Sequence, residues 1–168
     1  QLFNSAAAAA SMARIYAELG IEGEDTSDLR ATALRYLESP MGETLASTVY
    51  AELGWAAIRR GDVEDATEMF TRGLAGTSAT KQLELPALLF GLGLVRTAAG
   101  DAAGAEALIS EAAEFIEERK MAHLRPAEAV ARGGLLVATG RYGEAVDVLA
   151  AGADAAQAMG VAGFEWRL

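Results

Sequence analysis

The chain contains no cysteine. That absence excludes disulfides, thiolate catalysis and cysteine-based zinc sites, and it fits a reducing compartment, read here as the cytoplasm. There is a single histidine, His123, in a predicted loop beside Arg125. No nucleophile or metal-ligand motif surrounds it, so it reads as a surface residue. Positive charge is scarce: 14 Lys and Arg face 24 Asp and Glu, for a net charge of −10. Direct binding to nucleic acid is therefore not expected, because phosphate affinity needs clustered cations. No apolar run reaches the roughly 18 residues that span a bilayer. The Ala6–Ala10 tract has no basic segment before it and reads as helix, not as a signal-peptide core. Runs of Val, Ile and Thr at period two are missing too, so no strand is predicted.

The motifs of common chemistry are equally missing. There is no Gly-x-x-x-x-Gly-Lys-Ser/Thr loop. Gly91-Leu92-Gly93 lacks the third glycine and the preceding strand of a dinucleotide fingerprint, and helix packing explains it better. Glu111, Glu114, Glu117 and Glu118 have the spacing of a helix surface, and nothing points to the buried pair that acid–base catalysis needs. No catalytic residue, cofactor or metal is expected, and the chain reads as a binder, not an enzyme.

What is abundant is alanine, within a hydrophobic share of 52%. Alanine is the best helix former and lets helices pack closely. Three turns share one pattern: Gly61-Asp62-Val63-Glu64-Asp65-Ala66, Gly100-Asp101-Ala102-Ala103-Gly104-Ala105 and Gly140-Arg141-Tyr142-Gly143-Glu144-Ala145. Their glycines are 39 and 40 residues apart. Seven residues before each turn stands another glycine, at Gly54, Gly93 and Gly133, and Pro86 and Pro126 keep the same phase, 40 apart.

Each marker has a physical role. The turn glycines can adopt the left-handed conformation that ends a helix. Asp62 and Asp101 are predicted N-caps of the next helix. Pro86 and Pro126 suit a first helical turn, where a missing N–H costs little. The mid-helix glycines cost about 1 kcal/mol each against alanine, and close approach of a neighbouring helix is the expected compensation. Ala66, Ala105 and Ala145 are the small partners opposite. Phe70, Ile109 and Leu149, four residues on, fill the space beside them.

These residues resemble the tetratricopeptide (TPR) repeat. Leu53-Gly54, Gly61-Asp62, Ala66 and Phe70 match its pattern closely, as do Leu92-Gly93, Gly100-Asp101, Ala105 and Ile109. Gly133, Gly140, Ala145 and Leu149 match with Arg132 in place of the leucine. The period of 39–40 exceeds the usual 34 or so. The extra length extends the second helix of the pair and its following loop, as in Glu111–Lys120 and Ala151–Gly160. The long form is similar to the repeats of MalT-like and other LuxR-type bacterial regulators, over roughly residues 43–168. Ala155-Ala156-Gln157-Ala158-Met159-Gly160 resembles the ends of their second helices.

The fold expected from the resemblance is all-α: a right-handed α-solenoid of antiparallel helix pairs, one domain over 1–168. Its units are 4–38, 43–79, 85–120 and 126–160, with a partial fifth at 161–168. In the first unit, helix A is expected to end at Gly20, and Thr26 or Ser27 to cap helix B through Glu38. The start at Gln1 and the uncapped end through Phe164 and Trp166 read as a piece of a longer protein. Homodimerisation through those ends is the competing reading.

The resemblance also implies where a ligand sits, because helices A line the concave face of such stacks. The ligand-facing positions map to Thr48, Ala51, Trp55 and Ile58, with Arg59 beside them. They continue at Ala87, Phe90, Leu94 and Thr97, then at Ala127, Val130, Gly134 and Val137. Trp55 and Phe90 are the candidate anchors; the alternative is that both rings pack as core. The positions of a carboxylate clamp map to Ala51, Trp55, Phe90, Leu94, Val130 and Gly134, which do not supply the clamp's Lys, Arg and Asn donors. Arg59, Arg96 and Arg132 read as ordinary pairs, with an anionic group as the other possibility. The A segments (4–19, 43–60, 85–99, 126–139) carry a net +1, and the B segments (24–38, 62–74, 101–120, 141–159) −11, with neutral loops. The expected function is a protein-binding scaffold for an apolar or amphipathic segment, as the regulatory arm of a bacterial signalling protein or transcription regulator. Metabolite sensing in the same groove is the alternative.

Overall fold

The computed structural model describes residues 2–21, 23–38, 42, 45–76 and 83–160, with only the backbone for residues 2–5, 24 and 25. These residues are all-helical, with no strand among them. The helices are α1 (Leu2–Glu18), α2 (Glu24–Leu37), α3 (Ala46–Arg60), α4 (Val63–Ala75), α5 (Leu85–Ala98), α6 (Ala102–Glu118), α7 (Arg125–Ala138) and α8 (Tyr142–Ala158). The chain divides into two compact units, the first ending at Gly91 within α5 and the second beginning at Leu92.

The punctuation read from the sequence acts as expected. Gly20, Gly61, Gly100 and Gly140 have φ of 68°, 74°, 79° and 76°, and each stops a helix. The Asp62 carboxylate accepts from the Asp65 N–H at 3.0 Å, and that of Asp101 from the Gly104 N–H at 2.9 Å. Each capping bond satisfies one of the backbone donors left over at a helix start. Pro86 and Pro126 sit in the first turns of α5 and α7 and are fully buried. The lengthened second helices are present as well: α6 and α8 have 17 residues each, against 13 in α4.

One expectation about the first unit needs correction. Neither Thr26 nor Ser27 caps α2, whose N-cap is Gly23. Thr26 lies inside the first turn and is buried, and its Oγ1 donates to the Ile21 carbonyl at 3.3 Å. The hydroxyl thus closes the α1–α2 connection instead of starting the helix. The proposed partial fifth repeat at 161–168 lies outside the described residues, as do Phe164 and Trp166.

In the first unit, α1 packs against α2 and α3, and α3 against α4. Ala6, Ala9, Ala10 and Ala13 recur at helical spacing along α1 and join Ala33, Val49, Leu53 and Met69 in one buried cluster. In the second unit, α7 packs against α8 and against α6.

Both units use the same joint. A methyl group placed on Gly54 would lie 2.6 Å from the Phe70 ring. On Gly93 it would lie 2.9 Å from Ile109, and on Gly133 2.6 Å from Leu149. In all three hairpins the large residue comes 16 positions after the glycine. Burying a Phe or Ile side chain stabilises by roughly 1.5–3 kcal/mol, which offsets the roughly 1 kcal/mol that a mid-helix glycine costs. A second small position recurs at Gly73, Ala112 and Gly152, all buried and again 39 and 40 apart. At Gly73 a methyl group would lie 2.5 Å from Leu88 and 3.2 Å from Tyr50, so this site admits both neighbouring A helices.

Candidate functional site

The expected ligand-facing residues lie on α3, α5 and α7, and their exposure sorts them. In the first unit Thr48, Trp55 and Ile58 are half-buried and Arg59 is exposed. The Trp55 ring meets Phe70 edge to face, with centroids 5.8 Å apart and planes at 78°. This geometry suits the ring quadrupoles and holds the indole in place while part of it stays open to solvent. Thr48 Oγ1 donates to Glu84 Oε1 at 2.8 Å, so its hydroxyl is engaged within the protein.

Phe90 is not available as an anchor. It is fully buried, and Ala51 is buried as well. The reason is the composition of α5: Leu88, Leu89, Phe90 and Leu92 leave no polar face on this stretch, and a helix apolar all round belongs to the core. Of the two readings of the aromatics, core packing therefore holds for Phe90, while Trp55 combines packing with exposure.

In the second unit Leu94, Thr97, Val130 and Gly134 are half-buried and Val137 is 48% exposed. Leu94 and Gly134 meet: a methyl group on Gly134 would lie 3.1 Å from Leu94 Cδ2. Thr97 Oγ1 donates to its own helix at the Gly93 carbonyl, at 2.9 Å. Ala87 and Ala127 are half-buried.

Charges are arranged mostly as pairs. Arg96 meets Asp101 at 3.1 Å, and Arg132 meets Glu106 at 3.0 Å and Glu128 at 3.8 Å. Asp65, with only 14% of its side chain exposed, takes both Arg30 and Arg60 and so ties α2, α3 and α4 together. Glu144 is held below the usual carboxylate range, chiefly by the hydrogen bond from Arg141 and also by that cation's charge, with desolvation opposing. Glu111, Glu114, Glu117 and Glu118 are exposed, in keeping with their helix-surface spacing. His123 is exposed in a 3-10 turn over Ala122–Leu124. Among the described residues no group of three or more acidic or histidine side chains is placed to hold a metal ion, and no helix is long and apolar enough to cross a membrane.

Sequence reading missed one feature here. Arg125, Glu128 and Arg132 on α7 border a hollow of about 320 Å³ beside α8. The departure of Arg132 from the leucine of the repeat was one signal of it in the sequence. Compared with known proteins, the chain matches no family model, no curated protein and no solved structure.

Proposed function

We propose that this chain is a TPR-like helical-repeat module whose helix pairs continue one right-handed solenoid, and that it binds a protein or peptide through its A helices. The observation that carries this reading is the open apolar surface on those helices. Trp55 and Ile58 are only half-buried on α3, and Val137 is exposed on α7. An aromatic ring held by packing yet open on one side has the character of an interface hot spot. The common register of the three glycine joints supports the repeat, and the concentration of negative charge on the B helices leaves the A helices to contact an apolar or amphipathic segment.

The module serves as a non-catalytic regulatory arm of a larger cytoplasmic signalling protein or transcription regulator, a role that rests on the resemblance of its 39–40-residue repeats. Amide chemical-shift mapping with a selected amphipathic helical peptide tests the proposed face. Shifts centred on Trp55 and Ile58 support it; shifts confined to the exposed acidic faces of α4 and α6 contradict it.

A further inference from the structure

The fourth hairpin breaks the repeat in a way that the second and third do not. On α3 and α5, the positions five and one before the mid-helix glycine are Val49 with Leu53 and Leu88 with Leu92, all buried. On α7 the same positions are Glu128 and Arg132. Two neighbouring positions lose volume: Tyr50 and Leu89 give way to Ala129, and Met69 and Leu108 to Val148. The hollow of about 320 Å³ lies at this place, with Ala129, Val148 and Gly152 among its lining. A half-buried ion cluster is generally less stabilising than apolar packing of similar volume. A chain that gives up packing at the fourth hairpin while keeping it at the second and third marks that place for a role other than stability.

The charges specify the role further. The Arg125 guanidinium lies 2.9 Å from Glu128, and that of Arg132 3.8 Å, so two cations share one carboxylate whose side chain is 15% exposed. Each arginine holds a second, more exposed partner, Glu117 for Arg125 and Glu106 for Arg132. Those outer carboxylates can be exchanged, because exposed pairs are worth little in water. The residues bordering the hollow carry a net +1 within a chain of −10.

We infer that the hollow between α7 and α8 binds a small amphipathic anion, a carboxylate on a short apolar body. The carboxylate pairs with Arg125 and Arg132 from within the hollow, in competition with their outer partners Glu117 and Glu106, and the body lies on Ala129, Val148 and Gly152. The volume is at the small end of ligand pockets, which sets the body at roughly eight carbon atoms. None of Trp55, Ile58 or Val137 borders the hollow, so this site stands or falls independently of the peptide-binding face.

Octanoate is the probe, with 1-octanol and octylamine as neutral and cationic controls, followed by calorimetry and amide chemical shifts. Octanoate is expected to shift the amides of Ala129, Gly152 and Ala155 and to bind at least tenfold more tightly than either control. Glu128→Leu combined with Arg132→Leu restores the apolar pair of the other hairpins; it is expected to raise the melting temperature and to weaken octanoate binding at least tenfold. Ala151→Leu, at an exposed lining position, is expected to block the hollow with the charges intact. Absence of octanoate binding, equal binding of octanol, shifts centred elsewhere, or undiminished binding in both variants would overturn the inference.

Discussion

Gly91 on α5 lies against the Phe70 ring so closely that any side chain at position 91 would fall inside van der Waals contact. Gly54 on α3 faces the same ring, at 2.6 Å for an added methyl group. One ring from α4 is therefore slotted between glycines of two A helices, and Trp55 closes its edge.

Alanine at either glycine gains helix propensity and loses the slot. Overpacking of a closed core costs typically 1–3 kcal/mol, more than the roughly 1 kcal/mol of propensity regained. Gly91→Ala and Gly54→Ala are each expected to lower stability in urea denaturation. Adding Phe70→Leu to Gly91→Ala recovers part of the loss, because the smaller side chain yields to the methyl group.

The three joints also differ in depth. Phe70 and Ile109 are fully buried, and Leu149 is half-buried. Truncation to alanine is expected to cost about 3–5 kcal/mol at Phe70 and about 2–5 kcal/mol at Ile109, with a smaller loss at Leu149. Thermal and chemical denaturation of the three variants gives the order directly.

The third turn lacks the cap of the other two. Arg141 occupies the N-cap of α8 without a capping hydrogen bond and pairs instead with Glu144, at 2.7 Å from Nε. Arg141→Ser creates a Ser-x-x-Glu capping box, and is expected to raise the melting temperature by roughly 2–4 °C. In Arg141→Ala, which removes the cation without supplying a capping side chain, the Glu144 carboxyl is expected to return upward toward its ordinary value, which carboxyl-carbon NMR titration reads. The sign follows: a depressed carboxyl stabilises above its unfolded value and loses that contribution as pH falls through the folded one.

The hairpins were legible in the sequence because their determinants are local or fall at fixed offsets. A left-handed glycine, an aspartate one residue later and a proline in phase each act within a few residues. The pairing of Gly54 with Phe70 repeats at the same separation in the next two hairpins. Gly91 was harder to place, since its reason is a ring on the preceding hairpin and not its own. Phe90 was misplaced as a candidate anchor because register assigns a face but not its depth, and the apolar girth of α5 takes that face into the core. The hollow beside α7 is a different case: the register shows Ala129 and Val148 where the other hairpins have larger residues, but only the packed helices show that no other side chain fills the space.

The peptide-binding face is tested most directly by affinity. A helical peptide selected against this chain is titrated by calorimetry into the wild type, Trp55→Ala, Ile58→Ser and the control Thr67→Ser at an exposed position of α4, with melting temperatures confirming that each variant is folded. The account predicts at least a tenfold loss of affinity for Trp55→Ala and Ile58→Ser and none for the control. Unchanged affinity in both α3 variants would contradict it.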